Sequence, residues 1–202
     1  MNAINPQAVI IGAVLLVVVL VAILVIARER KKAQSRHLRE RFGPEYGRVV
    51  RSVGNQEKAE AELAAREKRV DRLELVTLPP AEAAQYGRQW ETLQSQFVDN
   101  PVGVVGEADR LVRDLMQKRG YPMGDFESRA ADISVHHPAV VENYRAAQVI
   151  AVRSHRAEAS TEDLRKAVVH YRVLFEDLLE TGAAPRAGAR KTTQRNEEPV
   201  QS

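Results

Sequence analysis

Ala8 to Ala27, AVIIGAVLLVVVLVAILVIA, runs for twenty residues without a charged or strongly polar side chain, and nothing else in the chain constrains its fold as much. At about 1.5 Å of rise per residue such a run makes a helix roughly 30 Å long, which matches the hydrocarbon layer of a bilayer. Val and Ile dominate it, and in water their branched side chains make a mediocre helix. In lipid the helix is forced, because every backbone N–H and C=O must be satisfied inside the segment. The run ends directly in Arg28-Glu29-Arg30-Lys31-Lys32, a stop-transfer pattern. A cleaved secretory signal would need a positive n-region and a small-residue cleavage site, and MNAINPQ (1–7) carries no charged side chain. The sequence therefore predicts a short extracytoplasmic N-terminus (1–7), a single transmembrane helix (8–27) and a basic juxtamembrane stalk (28–42).

Orientation follows from the flanking charges. Between Arg28 and Arg41 seven side chains are basic and two acidic, while the other flank carries none. The positive-inside rule places the N-terminus outside an inner membrane and the soluble domain in the cytoplasm, an extracytoplasmic domain being the alternative. The overall net charge of +3 hides this pattern: it is +5 over 28–41, −4 over 42–181 and +2 over 182–202. A basic segment beside a mildly acidic body favours a lipid bilayer over nucleic acid as partner, with Arg28, Arg30, Lys31 and Lys32 as the candidate anionic-lipid contacts.

Beyond the run, apolar residues recur at helical spacing and no segment alternates for more than a few residues. Residues 43–181 thus read as an all-α domain, five or six helices joined by Pro and Gly turns in a small bundle. Tyr46, Val49, Val50 and Val53 mark a short amphipathic helix stopped at Gly54-Asn55. Gln56 to Leu75 is the most polar helix, its thin seam of Ala59, Leu63, Val70 and Leu73 suiting an outer bundle helix or an arm for a partner helix. After Pro79-Pro80 comes a face of Ala83, Tyr86, Trp90, Leu93 and Phe97. Asn100 caps the next helix and Pro101 opens it. Asp125 caps a short helix, His137-Pro138 opens a long one, and Ser160 caps the last, whose stripe from Leu164 to Leu178 is the strongest in the chain. Residues 182–202 have no apolar period and are expected to be disordered.

No catalytic constellation is visible. The chain has no Cys, no HExxH or Glu-x-x-His, no G-x-S-x-G elbow and no glycine loop carrying Lys with Ser or Thr. Gly103 and Gly106 lack the strand that a nucleotide-binding loop follows. His136 and His137 are adjacent and would diverge on a helix; His155 and His170 can face each other across an antiparallel pair. Arg110, Arg113, Arg129 and Arg145 are interspersed with acids, as on a solvated face. The sequence assigns no catalytic residue, no metal ligand and no cofactor, and predicts that the protein is not an enzyme. Tyr86 and Trp90 are the candidates for an interaction groove, their plainer use being core packing.

Taken together, LRERFGPEYGRVV (38–50), AEAELAAREKRVDRLEL (59–75), QSQFVDNPVGVVGEADRLVRDLMQKRGYP (94–122), FESRAADISVHHPAVVENYRAA (126–147) and ASTEDLRKAVVHYRVLFEDLL (159–179) resemble an uncharacterised bacterial family of membrane or secreted proteins. That resemblance implies one N-terminal span and an all-helical soluble domain, and no activity, cofactor or site residue. The expected function is a membrane-tethered, non-enzymatic interaction or scaffold protein that binds another protein. Two alternatives stand beside it: a helical domain at the membrane, enzymatic or binding a small ligand through the Tyr86/Trp90 region, and a binder of anionic surfaces or nucleic acid through its basic flanks.

Overall fold

The structure, a computed structural model, describes residues 6–180, without the side chains of 6–14 and of Val17. Its helices are α1 (Pro6–Phe42), α2 (Pro44–Val53), α3 (Gln56–Val70), α4 (Pro80–Ser95), α5 (Pro101–Lys118), α6 (Phe126–His136), α7 (Val141–His155) and α8 (Thr161–Glu180). No strand occurs among the described residues, so the all-α reading stands. Residues 1–5 of the expected N-terminal segment and all of 182–202 lie outside the described residues.

Helix boundaries follow local chemistry. The side chain of Asn55 accepts from Lys58 N at 2.9 Å, that of Asn100 from Gly103 N at 3.0 Å and that of Asp125 from Ser128 N at 2.7 Å. Ser160 and Asp163 exchange reciprocal backbone-to-side-chain bonds, each 3.1 Å. Each bond satisfies an amide that the first helical turn leaves unpaired. The turn after α5 needs Gly120, at φ 91°: a Cβ there would stand 2.9 Å from the Glu74 carbonyl oxygen, while Val76 N donates to Arg119 O at 2.9 Å alongside. That close approach ends α3 at Val70 instead of Leu75, because the chain from 73 to 79 is drawn out along the end of α5. His137 does not open a helix; it caps the end of α6, and α7 starts at Val141.

Two apolar clusters form. The larger joins α5, α7 and α8 with one side of α4 and α6, around Leu115, Ile133, Tyr144, Tyr171, Leu174 and Phe175. The smaller joins the end of α1 to α2 and α3 through Leu38, Phe42, Val49, Leu63 and Val70, and takes Val135 from α6. Helix α6 thus feeds both clusters from positions two residues apart. Polar pairs Lys31–Glu57 (3.0 Å), Ser35–Glu60 (2.9 Å) and His37–Glu67 (2.8 Å) advance together along both chains, so α1 and α3 run parallel with α2 as the crossover. The segment expected to be a basic juxtamembrane stalk is packed along α3.

The membrane-crossing helix expected over 8–27 is not upheld: among the described residues no helix is long and apolar enough to cross a membrane. With the span go the single-pass inner-membrane localisation in either orientation, the lipid bilayer as partner, and the membrane-tethered scaffold as function.

A buried ion cluster ties the two apolar clusters together. Glu45, in the first turn of α2, is fully buried. Arg48 holds it in a two-pronged grip, Nε to Oε2 and Nη2 to Oε1, both 2.7 Å. Arg66 of α3 and Arg145 of α7 add bonds of 3.3 and 3.2 Å to Oε1. Burial alone would raise the Glu45 pKa, but the Arg48 hydrogen bond and the charges of Arg145, Arg48 and Arg66 outweigh it and hold the carboxyl below the ordinary glutamate range. Arg145, expected on a solvated face, is instead nearly buried against Glu45 and also reaches Glu127 at 2.6 Å.

Glu45→Gln removes the charge and leaves three guanidiniums around a neutral amide. Breaking a buried ion cluster this way costs about 3–5 kcal/mol, so the urea midpoint of the variant is expected to fall sharply with little change in slope. The sign of the pH effect follows from the depressed pKa: the contribution is complete above the unfolded-state glutamate pKa of about 4.3 and is lost as pH falls through the lower folded value. Wild type should therefore lose stability in acid faster than Glu45→Gln does; parallel acid limbs would contradict the assignment.

Candidate functional site

Helices α4 and α5 form an antiparallel hairpin closed by a tight turn in which Asp99 N and Asn100 N both donate to Gln96 O, at 3.2 and 3.0 Å. The buried sides of the hairpin supply Trp90, Leu93, Val104, Ala108, Val112 and Leu115 to the core. Between the two helices lies an open groove of about 690 Å³, floored by Leu93 and Val104 at the edge of the core and by Leu111. Small-molecule sites occupy roughly 300–1,000 Å³, so the groove has the required size. Its walls are polar. Gln85, Arg88 and Gln89 line it from α4, Gln96 from the turn that follows, and Glu107, Arg110 and Asp114 from α5.

The walls differ in how their groups are engaged. Glu107 and Arg110 satisfy each other at 2.5 Å, the Thr92 hydroxyl donates to Arg88 O at 2.9 Å, and Asn100 caps α5. Among the described residues, the side chains of Arg88 and Asp114 make no hydrogen bond or ion pair, and neither do the amides of Gln85 and Gln89. A smaller depression continues the groove past Gln85, Gln89 and Asp114 to Tyr86 and the Lys118–Glu82 pair, which is 3.0 Å apart. Burial, and then the Asp114 charge, push the Tyr86 hydroxyl pKa up, so it remains a neutral donor there at ordinary pH.

The two aromatic candidates are thereby divided. Tyr86 stands at the end of the groove, half-buried. Trp90 points the other way, 4% exposed, and stacks on Phe175 of α8 with ring centroids 4.8 Å apart. Of the basic candidates, Arg28, Lys31 and Lys32 line one face of α1 together with Arg36 and Arg39, and Arg30 is not on that face. The histidines do not converge. His137 is buried and bonded to Asp177, and burial with the nearby Arg41 and His137 charges holds His136 below the usual imidazole range. His170 meets Asn143 at 2.8 Å, which is the ordinary cross-bundle role. No group of His, Asp or Glu able to hold a metal ion occurs among the described residues.

Sequence reasoning did not single out Gln85, Arg88, Gln89 or Asp114. The signal was there, because positions 85, 88, 89, 92 and 96 lie at helical spacing on the side of α4 away from Trp90. A polar face of this kind reads as solvated until a second helix is seen to wall it.

No family model, curated protein or solved structure matches this chain. The resemblance to an uncharacterised bacterial family with an N-terminal span is accordingly withdrawn, since neither the comparisons nor the described helices carry it.

Trp90 is the chain's single tryptophan, so its position can be read directly. Its fluorescence should be blue-shifted and poorly quenched by acrylamide in the native state, becoming accessible only on unfolding. Trp90→Ala, by emptying a filled core position, should cost about 3–5 kcal/mol; strong native-state quenching would contradict the buried stack.

Proposed function

We propose that the chain is a non-catalytic binding module whose α4–α5 groove holds a small zwitterionic ligand. One observation carries this reading: Arg88 and Asp114, unlike charges without ion pairs among the described residues, line the same cavity with the unengaged amides of Gln85 and Gln89. A guanidinium fork suits a carboxylate and grips it with two parallel bonds. A free aspartate suits an ammonium group. Side-chain amides donate and accept, so they match a polar ligand backbone of either sense. The apolar floor of Leu93, Val104 and Leu111 offers space for an aliphatic portion.

Binding is favoured over catalysis by the state of the lining. Thr92 is its one hydroxyl-bearing side chain and is engaged with the Arg88 carbonyl. No His or Cys lines the groove, so Asp114 has no nucleophile to activate there.

The test is thermal unfolding of the full chain against the free amino acids and their dipeptides. A ligand at a hundredfold its Kd stabilises by about 2.7 kcal/mol, which is expected as a clear rise in Tm for at least one member. Arg88→Ala should abolish the rise for carboxylate-bearing members, with amidated analogues failing on wild type, and Asp114→Asn should abolish it for members with a free amine. Both positions are at the groove wall, so the variants should keep the wild-type Tm without ligand. A panel with no stabilising member, or one whose effect survives both substitutions, would overturn the reading.

A further inference from the structure

A second surface lies on α1 and is independent of the groove. Arg28, Lys31, Lys32, Ser35, Arg36 and Arg39 recur at three- and four-residue spacing and line one shallow depression of about 430 Å³ beside the start of α3. The row extends about 16 Å along the helix at 1.5 Å per residue.

Its charges are only partly answered. Lys31 meets Glu57 at 3.0 Å and Lys32 meets Glu29 at 3.2 Å. All four side chains are more than half exposed, and such pairs exchange readily because water screens them. Glu60 is occupied by Ser35, Tyr46 and Gln56 at 2.9, 2.7 and 2.8 Å, and its charge answers Arg39. Arg28 and Arg36 make no hydrogen bond or ion pair among the described residues. Packing of α1 against α3 fixes the row in place, so the cations are presented as a line on a rigid helix.

We infer that this row is a binding site for a flexible phosphate chain, of which inorganic polyphosphate is the simplest member. Cations drawn out over three helical turns answer a linear anion better than a single phosphate, for which donors must converge on one point. The row also lacks what a nucleic acid would need beyond charge. Single-stranded nucleic acids are held by stacking bases on aromatic faces as well as by the basic groove. The aromatic ring beside the row among the described residues, Tyr46, is covered by the Arg39 guanidinium, 5.2 Å from its centroid. Attraction to the phosphates therefore carries the binding, through release of the counterions condensed on the chain.

The test is calorimetric titration of the full chain with polyphosphate of defined length at several salt concentrations. A single-stranded oligonucleotide of equal phosphate count and vesicles of anionic lipid serve as separate arms. Polyphosphate is expected to bind most tightly, with log K falling linearly in log salt by about 0.7 per phosphate neutralised, the slope found for single strands. Arg28→Glu with Arg36→Glu, at exposed positions that support no fold contact, should weaken binding more than tenfold and flatten that slope. Arg165→Glu, on α8, should leave both unchanged. Binding that survives the double substitution places the site elsewhere and overturns the inference. So does an oligonucleotide bound as tightly as polyphosphate, or association with anionic vesicles alone.

Discussion

The fold depends on one buried carboxylate. Glu45 sits where α2, α3 and α7 meet, and its oxygens receive bonds from a guanidinium on each of them. An isolated carboxylate in that position would be expelled or protonated, because burial without compensation costs several kcal/mol. Three arginines reverse the balance for Glu45, and Glu45 in turn answers Arg66 and Arg145, which are nearly buried and have Glu62 and Glu127 as second partners. The cluster therefore behaves as a unit. It fixes the angle at which the α1–α3 part meets the α5–α8 bundle, since a guanidinium bond tolerates little misorientation where an apolar contact can slide. A second polar link, Arg69 of α3 to buried Asp132 of α6, fixes the same junction from the other side. Between them α6 supplies Ile133 to one apolar cluster and Val135 to the other.

That arrangement explains why the groove lies where it does. The α5–α8 bundle is built from helices covered on several sides, with Tyr171 and Leu174 fully buried. Helix α4 is a lid on one edge of it, held through α5 and the stacking of Trp90 on Phe175. A helix so anchored along one stripe keeps its remaining surface for water or ligand. The hairpin turn at Gln96–Asn100 holds α4 and α5 together at one end, so the groove has fixed walls there. The side chains that line it are supported by helical backbone and not by a loop, which suits a site whose polar groups must be in place before the ligand arrives.

How much of this is legible in the sequence depends on the range of the interaction. Caps are local, and Asn100, Asp125 and Ser160 are readable because donor and acceptor lie three residues apart. The stripes are readable because helical periodicity repeats them. Trp90 and Tyr86 show the limit of that reading: both belong to the α4 stripe, yet Trp90 lies at its centre and Tyr86 at its margin, so one is core and the other reaches the groove. Glu45 is illegible, because its partners stand 3, 21 and 100 residues away and a lone acid between a proline and a tyrosine reads as surface. Arg145 reads as part of a solvated face for the same reason. The apolar stretch 8–27 reads as a span from its length and the charges that follow it, yet among the described residues no helix is long and apolar enough to cross a membrane.

The basic segment 28–42 carries the same lesson about charge. Read as letters, seven cations after an apolar run are a topology signal and a stalk. In the fold, Leu38 and Phe42 of that segment are buried with α2 and α3, and Ser35, His37 and Arg41 face partners on α3. Two sides of the helix are thus committed to the domain, and the remaining face carries Arg28, Lys32 and Arg36, with Lys31 and Arg39 at its edge toward α3 and α2. A mobile stalk would spread those charges over many orientations and let counterions screen each separately. Held in a row on a packed helix, they add their fields along one line. Packing against α3 therefore turns a surplus of charge into a surface with direction.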